Sequence, residues 1–439
     1  MSSDLVPARI ADQDAVALSP DQALAVNTIL TAKEQRVVFV TGKAGTGKST
    51  VLRQVVESGL MQMVVLAPTG LAALNVGGQT IHSFFGFKLG PLDENPDLMH
   101  MWKPHGQKHK LVQKLEAIVI DEVSMVRADL MDAIDFSLRM NLRSNLPFAG
   151  KTLIVFGDLW QLEPVVAGNA ETEFLGSRYA SPFFFDSKVV RNTGMDVVEL
   201  TTVHRQKDDQ EFLWALNRIR KGEIEDLELF NSRVGASLQA EHVLTLTATN
   251  ARASAINMTA LARLPFPQSS YEGHIEGDFG RDLPAEQNLV LKPGAQVMFV
   301  KNGKEWVNGT LGTVVTAEQD RVIVHTQDGV TADVVPETWE KYKYTFDRSS
   351  ERIEAEPVGT YKQLPLRLAW AVTIHKAQGL TFDHLRLDMD RRAFAHGQLY
   401  VALSRCRTLA GLSLVKPVTK EDVQVNMRIW EFERAAGLA

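Results

Sequence analysis

One lysine, one serine and a pair of adjacent carboxylates supply the reactive groups of this chain. The run Gly42-Lys43-Ala44-Gly45-Thr46-Gly47-Lys48-Ser49 has the spacing G-x-x-x-x-G-K-S. Glycine-rich backbone at that spacing can turn its N–H groups inward on an anion, and a helix N-terminus beyond it adds positive dipole. Lys48 is then expected at the β- and γ-phosphates of a nucleoside triphosphate, with the Ser49 hydroxyl on Mg²⁺. Further along, Asp121-Glu122 closes the apolar run Ala117-Ile118-Val119-Ile120. At the end of a buried strand, Asp121 would hold Mg²⁺ through water and Glu122 would polarise the attacking water. Together these groups predict nucleoside triphosphate hydrolysis with ATP and Mg²⁺ as cofactors.

The elements that must position them are legible on either side. Val37-Val38-Phe39-Val40 reads as a buried strand, and Lys48 to Leu52 opens a helix, which is the context a phosphate loop requires. Met63 to Ala67 and Thr152 to Gly157 read as further strands. The second of these delivers Asp158, Trp160, Gln161 and Pro164 to the edge where open α/β sheets bind ligands. Gln161 is placed to sense a γ-phosphate. Ahead of the loop, Ser19-Pro20-Asp21-Gln22 carries an N-cap, a proline at the first helical position and a capping-box glutamine. Gln22 therefore has two readings, a helix cap and an adenine contact. Thr80-Ile81-His82-Ser83-Phe84-Phe85-Gly86-Phe87 has two readings as well. Its phenylalanines serve a core or a stacking surface for unpaired bases, and core is favoured from the residues alone.

Residues 88–110 break the pattern with Pro91, Asp93, Asn95, Pro96 and Asp97, and end in the basic tip Lys103 to Lys110. A solvated loop and a small protruding subdomain that meets nucleic acid both fit. Val243 to Asn250 resumes strand, and Ala251 to Leu264 is predicted helical. Pro265 to about 290 reads as turns. Gln296–Val300, Gly312–Val315, Arg321–His325 and Thr331–Val335 read as short strands of a small β-barrel, with Asp328-Gly329 as a hairpin turn. Gly397 to Arg407 reads as a helix ending in two arginines.

Bulk properties bound the class. A chain of 439 residues allows about two to four domains. The single cysteine, Cys406, excludes an intrachain disulfide. No apolar run is long enough to span a membrane and no signal peptide is recognised, so a cytoplasmic protein is expected, nucleoid-associated if bacterial. A formal net charge of −6 is not that of a protein that coats nucleic acid by bulk charge, though a narrow basic channel stays compatible with it.

The ordered stretches Ala67 to Phe87, Asp121 to Met125, Gly157 to Val165, His204-Arg205-Gln206, Ile374 to Asp383 and Tyr400 to Arg405 resemble the helicase motifs of superfamily one. The resemblance is to its 5′-to-3′ branch and, within that, to the Pif-type (petite integration frequency) helicases, relatives of the RecD and Dda enzymes. It covers about residues 18 to 415. It implies an α/β fold of two RecA-like P-loop domains with parallel sheets and ATP in the cleft between them. Residues 1–200 would form the first, with a wedge inserted at about 88–110. Residues 201–264 and 361–439 would form the second, with an SH3-like barrel inserted at 265–360.

Carried over by motif, Gln22, Gly42, Ala44, Gly45, Thr46, Gly47, Lys48, Ser49, Thr50 and Gly379 would bind nucleotide. Asp121, Glu122 and Gln161 would act in hydrolysis, and Arg205 and Arg405 would be arginine fingers. Pro68, Thr69, Thr80, His82, Phe84, Asn250, His375 and Lys376 would line a single-strand path. The implied partners are single-stranded DNA and forked or structured DNA, and the expected solution state is a monomer. The chain departs from the family where it has Val203-His204-Arg205-Gln206 and Glu163-Pro164, but neither departure removes a catalytic side chain. An ATPase that grips single strands without unwinding, and a P-loop ATPase acting on protein, are the alternatives. Strand separation and stimulation by oligonucleotide tell them apart.

Overall fold

A computed structural model describes residues 18–438 apart from 33–35, 89, 95–99, 167, 204–208, 281–282, 348–351, 390–392 and 394. The chain forms two compact units. One comprises Met1–Asp158, Pro164–Val203 and Lys341–Val358, the other Leu159–Glu163, His204–Glu340 and Gly359–Ala439.

The first unit is built on a six-stranded sheet. Its order is Gln79–Thr80, Met63–Ala67, Ala117–Ile120, Thr152–Gly157, Val37–Gly42, Asp196–Leu200. Every neighbouring pair is parallel. Burial on both faces explains why its central strands read as near-continuous apolar runs. On one face Val38, Val40, Val119, Ile154 and Phe156 pack with Ala25 and Ile29 of the Pro20–Leu30 helix and with Val51, Leu52 and Val55 of the Lys48–Glu57 helix. Phe39, whose ring meets Phe184 edge-on at 5.4 Å, is also fully buried.

The helix Ala128–Leu142 presents three buried carboxylates at i, i+3 and i+6. Asp129 accepts from the Leu92 N–H (2.9 Å), Asp132 from Val189 (3.0 Å) and Asp135 from Phe148 (2.6 Å). Such bonds satisfy loop N–H groups that burial would otherwise leave orphaned. Asn141 on the same helix accepts from the Trp102 N–H at 2.8 Å. The basic segment that reads as a solvated tip is therefore docked at Leu92 and at Trp102, both 4% exposed. Gln107–Lys114 is a helix, with Leu111 and Val112 buried. Of that tip, Lys103, Pro104, His105 and Gln107 are exposed.

In the second unit a four-stranded parallel sheet has the order Ala371–Thr373, Leu244–Thr247, Leu385–Asp388, Leu412–Leu414. Thr331–Val334, Val322–Thr326, Leu311–Ala317, Gln296–Phe299 and Leu366–Leu368 form an antiparallel five-stranded sheet. It closes over its own core of Val297, Phe299, Val314, Val322, Val324, Ala332, Val334 and Leu366. Residues 265–290, which read as turns, contain strands at Ser269–Glu272, His274–Gly277 and Asn288–Leu291. All four residues of His274–Gly277 are exposed, so no alternation marked that strand. The expected helix Gly397–Arg407 is shorter, Gln398–Leu403, and both arginines lie beyond it. Among the described residues no helix is long and apolar enough to cross a membrane.

Candidate nucleotide and strand sites

In the first unit the candidate residues follow the carboxyl ends of parallel strands. Gly42–Ser49 follows Val37–Gly42, Pro68 and Thr69 follow Met63–Ala67, Thr80 closes Gln79–Thr80, and Asp121 and Glu122 follow Ala117–Ile120. One sheet edge thus collects the groups that sequence spacing singled out.

The phosphate loop is braced from within. The Lys48 ammonium donates to the carbonyls of Gly42 (2.6 Å) and Lys43 (3.1 Å), folding the side chain over the loop it would share with a phosphate. Gly47 is the N-cap of the Lys48–Glu57 helix at φ 82°, and a Cβ there would lie 2.2 Å from Gln22 Nε2. A Cβ at Gly42 would meet Leu200 O and Thr46 Oγ1, both at 2.7 Å. Thr46 and Ala44 are buried, while Ser49 is exposed at the start of the helix and Gly45 and Thr50 are half-buried.

Gln22 makes the capping box and adds a second task. Its Oε1 accepts from the Ser19 N–H (3.0 Å) in a capping box, and its Nε2 donates to Thr46 O (3.0 Å). The carboxamide, 2% exposed, bridges the helix N-terminus to the phosphate loop. Its neighbour Asp21 was not singled out by sequence, where an acidic residue in a first turn only complements the helix dipole. Asp21 Oδ2 accepts from the backbone N–H groups of Thr201 and Thr202, both at 2.8 Å. Burial would push its carboxyl up, but the Ser19 hydroxyl and the N–H groups of Thr202, Thr201 and Gln22 hold it far below the usual carboxylate range.

Asp121 Oδ1 accepts from the Glu122 N–H at 2.9 Å. Burial raises the Asp121 carboxyl, opposed by that hydrogen bond and by the Lys48 ammonium. A cation beside it would relieve the same penalty. Ser49 hydroxyl and Asp121 carboxylate are hard oxygen donors, and Mg²⁺ takes one or two carboxylates plus phosphate oxygens and water. Glu122 sits at φ 52°, a left-handed conformation that costs a non-glycine residue about 1–3 kcal/mol and that clusters at active sites.

The strand-path candidates of this unit divide. Thr69 Oγ1 and Thr80 Oγ1 each accept from a backbone N–H at 3.2 Å, Ala72 and Ser83 respectively, and so cap short helices. Pro68 and His82 are half-buried, and burial and the Arg127 charge lower the His82 pKa. Phe84 departs from the stacking expectation. It is 2% exposed, edge-on to Phe85 at 5.0 Å, with the Lys108 ammonium 3.0 Å from its ring centroid. Phe85 and Phe87 are buried too, so the phenylalanine run is core.

In the second unit Asn250 follows the strand Leu244–Thr247, and His375 and Lys376 follow the adjacent strand Ala371–Thr373. These three candidates therefore share one carboxyl edge. Asn250 and Lys376 are exposed, and Gly379 nearby in sequence adopts φ 81°. Burial lowers the His375 pKa, so its imidazole is neutral at pH 7.

Gln161, 7% exposed, accepts from Gln378 Nε2 at 3.3 Å, joining two of the motif glutamines. Trp160 beside it donates from Nε1 to Glu433 at 2.5 Å and meets Trp430 edge-on at 5.2 Å. Arg405 is 1% exposed, and its guanidinium donates to Val401 O (3.0 Å), Leu380 O (3.2 Å) and Ser404 Oγ (2.8 Å). The expected finger is held inside its own unit by carbonyls. Arg205 lies outside the described residues.

Residues 17–229 match the family of PIF1-like helicases. The chain is similar to the ATP-dependent DNA helicase Pif1 of Bdellovibrio bacteriovorus, 33% identical over 415 residues, which covers 91% of this chain and 88% of the relative. It is 32% identical over 444 residues to the ATP-dependent DNA helicase PIF1 of Xenopus laevis, covering 95% of this chain but only 64% of that longer one. Among solved structures it resembles Pif1 from Bacteroides sp in complex with ADP-AlF4, with a TM-score of 0.86 and 36% identity over 96% of this chain and 98% of that one. The same relative bound to ssDNA gives a TM-score of 0.70.

Proposed function

The chain belongs to the PIF1-like helicase family, and we propose that it is an ATP-dependent DNA helicase that tracks 5′-to-3′ along a single strand and opens forked or structured duplex. The observation that carries this is positional. Phosphate loop and Asp121-Glu122 meet at one carboxyl edge of the first unit's sheet, and Asn250, His375 and Lys376 meet at one carboxyl edge of the second's. Relatives named ATP-dependent DNA helicases, a structure of Bacteroides Pif1 bound to ssDNA and a structure of two coordinating Pif1 helicases unwinding forked dsDNA support the substrate.

ATP phosphates would take the place of the Gly42 and Lys43 carbonyls at the Lys48 ammonium. Ser49 and Asp121 would hold Mg²⁺, which would supply neutralisation of phosphate charge. Glu122 orients and deprotonates the attacking water. Gln161 reports the γ-phosphate to Gln378 in the Ile374–Asp383 run. Arg205 and Arg405 supply positive charge to the transferring phosphoryl group. For Arg405 to act so, its guanidinium must exchange its bonds to Leu380 O and Ser404 Oγ for phosphate oxygens. On the strand, Thr69, Thr80 and Asn250 contact phosphates, and His375 and Lys376 follow the backbone. The exposed Lys103-Pro104-His105 turn, backed by the docked Trp102, acts as the wedge. In solution, without DNA, the protein is a monomer.

The test is strand displacement on paired 5′-tailed and 3′-tailed duplexes with ATP. Opening of the 5′-tailed substrate alone is expected. ATPase stimulated by single strands with no opening of either substrate would overturn the helicase assignment in favour of a gripping ATPase.

A further inference from the structure

We infer that the second unit carries a nucleotide-binding pocket along the groove between the helix Asn250–Arg263 and its parallel sheet, reaching from Arg252 near the carboxyl ends of the strands to Arg263 and Trp370 at their amino ends. A cavity of about 350 Å³ is lined by Arg252, Arg263, Arg386, Trp370, Thr259 and Ile256 among others. Its place follows from topology. Leu244–Thr247, Ala371–Thr373 and Leu385–Asp388 run parallel, with Thr245 in register with Ala371 and with Arg386. Trp370 and Arg386 therefore lie where these strands begin. The helix Asn250–Arg263 returns along the sheet and is pinned at its middle, where Asn257 exchanges two 2.8 Å hydrogen bonds with the Ala371 backbone. Its later turns, with Ile256, Thr259 and Arg263, thus roof the amino ends of the strands.

The lining has one sign of charge. Among the described residues no carboxylate lines the cavity. Arg252 is paired with Asp388 through two N–H groups at 2.9 and 2.8 Å. Among the described residues Arg263 and Arg386 have no ion-pair partner. A basic residue in a helix's last turn offsets the carbonyl end of the dipole, which accounts for Arg263 alone. It does not account for arginines from a strand, from a first turn and from a last turn facing one cavity beside an indole.

Guanidinium forks match phosphate oxygens in pairs, and an indole face takes a planar ring. The cavity is far larger than one inorganic anion and falls at the small end of ligand pockets. A phosphorylated planar ring, that is a nucleotide unit, fits all three properties. It can come from a DNA strand or from free nucleotide, and the strand source rests on the helicase reading above.

Thymidine 5′-monophosphate and a fluorescent oligothymidylate are the probes, titrated against the full chain. Variants are Arg263→Ala/Arg386→Ala and Arg263→Lys/Arg386→Lys. Both arginines are exposed, so DNA-free ATPase should persist and reports folding. Saturable binding of the monophosphate that survives Lys48→Ala, falls at least about tenfold in the alanine pair and is not restored by lysine supports the pocket. If oligothymidylate affinity falls as well, with its salt slope reduced by about 0.7, the occupant is a strand nucleotide. Loss for the monophosphate alone makes it free nucleotide. Absence of saturable binding, or binding equal in wild type and the alanine pair, overturns the pocket. Failure to unwind with the monophosphate result intact would overturn only the helicase reading.

Discussion

Gly47→Ala tests how the phosphate loop is held. The new Cβ would lie 2.2 Å from Gln22 Nε2, at a backbone position with φ 82°. Two costs follow, and they can be separated. The left-handed conformation costs an L-residue about 1–2 kcal/mol wherever the Gln22 side chain goes. Displacing the Gln22 amide also forfeits its 3.0 Å bond to Thr46 O, worth about 0.5–1.5 kcal/mol net. Wild-type background should therefore show a loss of about 2–3 kcal/mol. In a Gln22→Ala background the clash is gone and only the backbone cost of about 1–2 kcal/mol remains. The double-mutant cycle should give a coupling of about 1 kcal/mol, a positive interaction of the size neighbours in contact show. Denaturant unfolding of the four proteins measures it, and binding of a fluorescent ATP analogue should weaken in parallel. An equal cost of Gly47→Ala in both backgrounds would refute the bridge between Gln22 and the loop.

Lys48→Ala should abolish ATP hydrolysis while single-strand binding stays near wild type, and near-normal ATPase would sink the phosphate-loop assignment. Glu122→Gly should stop turnover yet leave stability unchanged or raised by up to about 1 kcal/mol, because glycine relieves the φ of 52°; a clear loss of stability would show that no strain is stored there. Lys108→Ala should cost about 0.5–1 kcal/mol by removing the ammonium from the Phe84 face, read by thermal unfolding, and an unchanged midpoint would mean that the contact contributes nothing. His396 donates to Glu163 at 2.8 Å, and that bond raises the imidazole pKa above its ordinary 6.5. The stabilisation is then complete below about pH 6.5 and is lost as pH rises through the raised value. Wild type should lose stability over that window relative to Glu163→Gln, and parallel pH profiles would exclude the pair.

What could be read in the sequence was local, and what could not was a matter of partners. Gly42 to Ser49 and Asp121-Glu122 were legible because strand, loop and helix are contiguous there. Burial on both faces also leaves a run such as Ala117 to Ile120 unmistakable. Phe84 was ambiguous because an aromatic needed for stacking and one needed for core have the same side chain. Only the position of Lys108, from a helix that read as a loop tip, decides it. The docking of Leu92 and Trp102 was invisible because Asp129 and Asn141 act on N–H groups 37 and 39 residues away. Arg405 illustrates the same limit. Its motif marked it as cationic chemistry, but the carbonyls that cage it depend on where Leu380 returns.

Asp21 and Gln22 are consecutive residues that grip opposite things. Asp21 holds Thr201 and Thr202, and Gln22 holds Thr46. Because successive helical residues point about 100° apart, the two grips depend on the helix being in one rotational phase. A single-residue insertion between Gln22 and Ala25 would turn both side chains away together, because the buried Ala25 and Ile29 fix the phase of the rest of the helix, and no side-chain replacement could recover them. A truncation that starts at Ala23 would free Thr46, Thr201 and Thr202 in one cut.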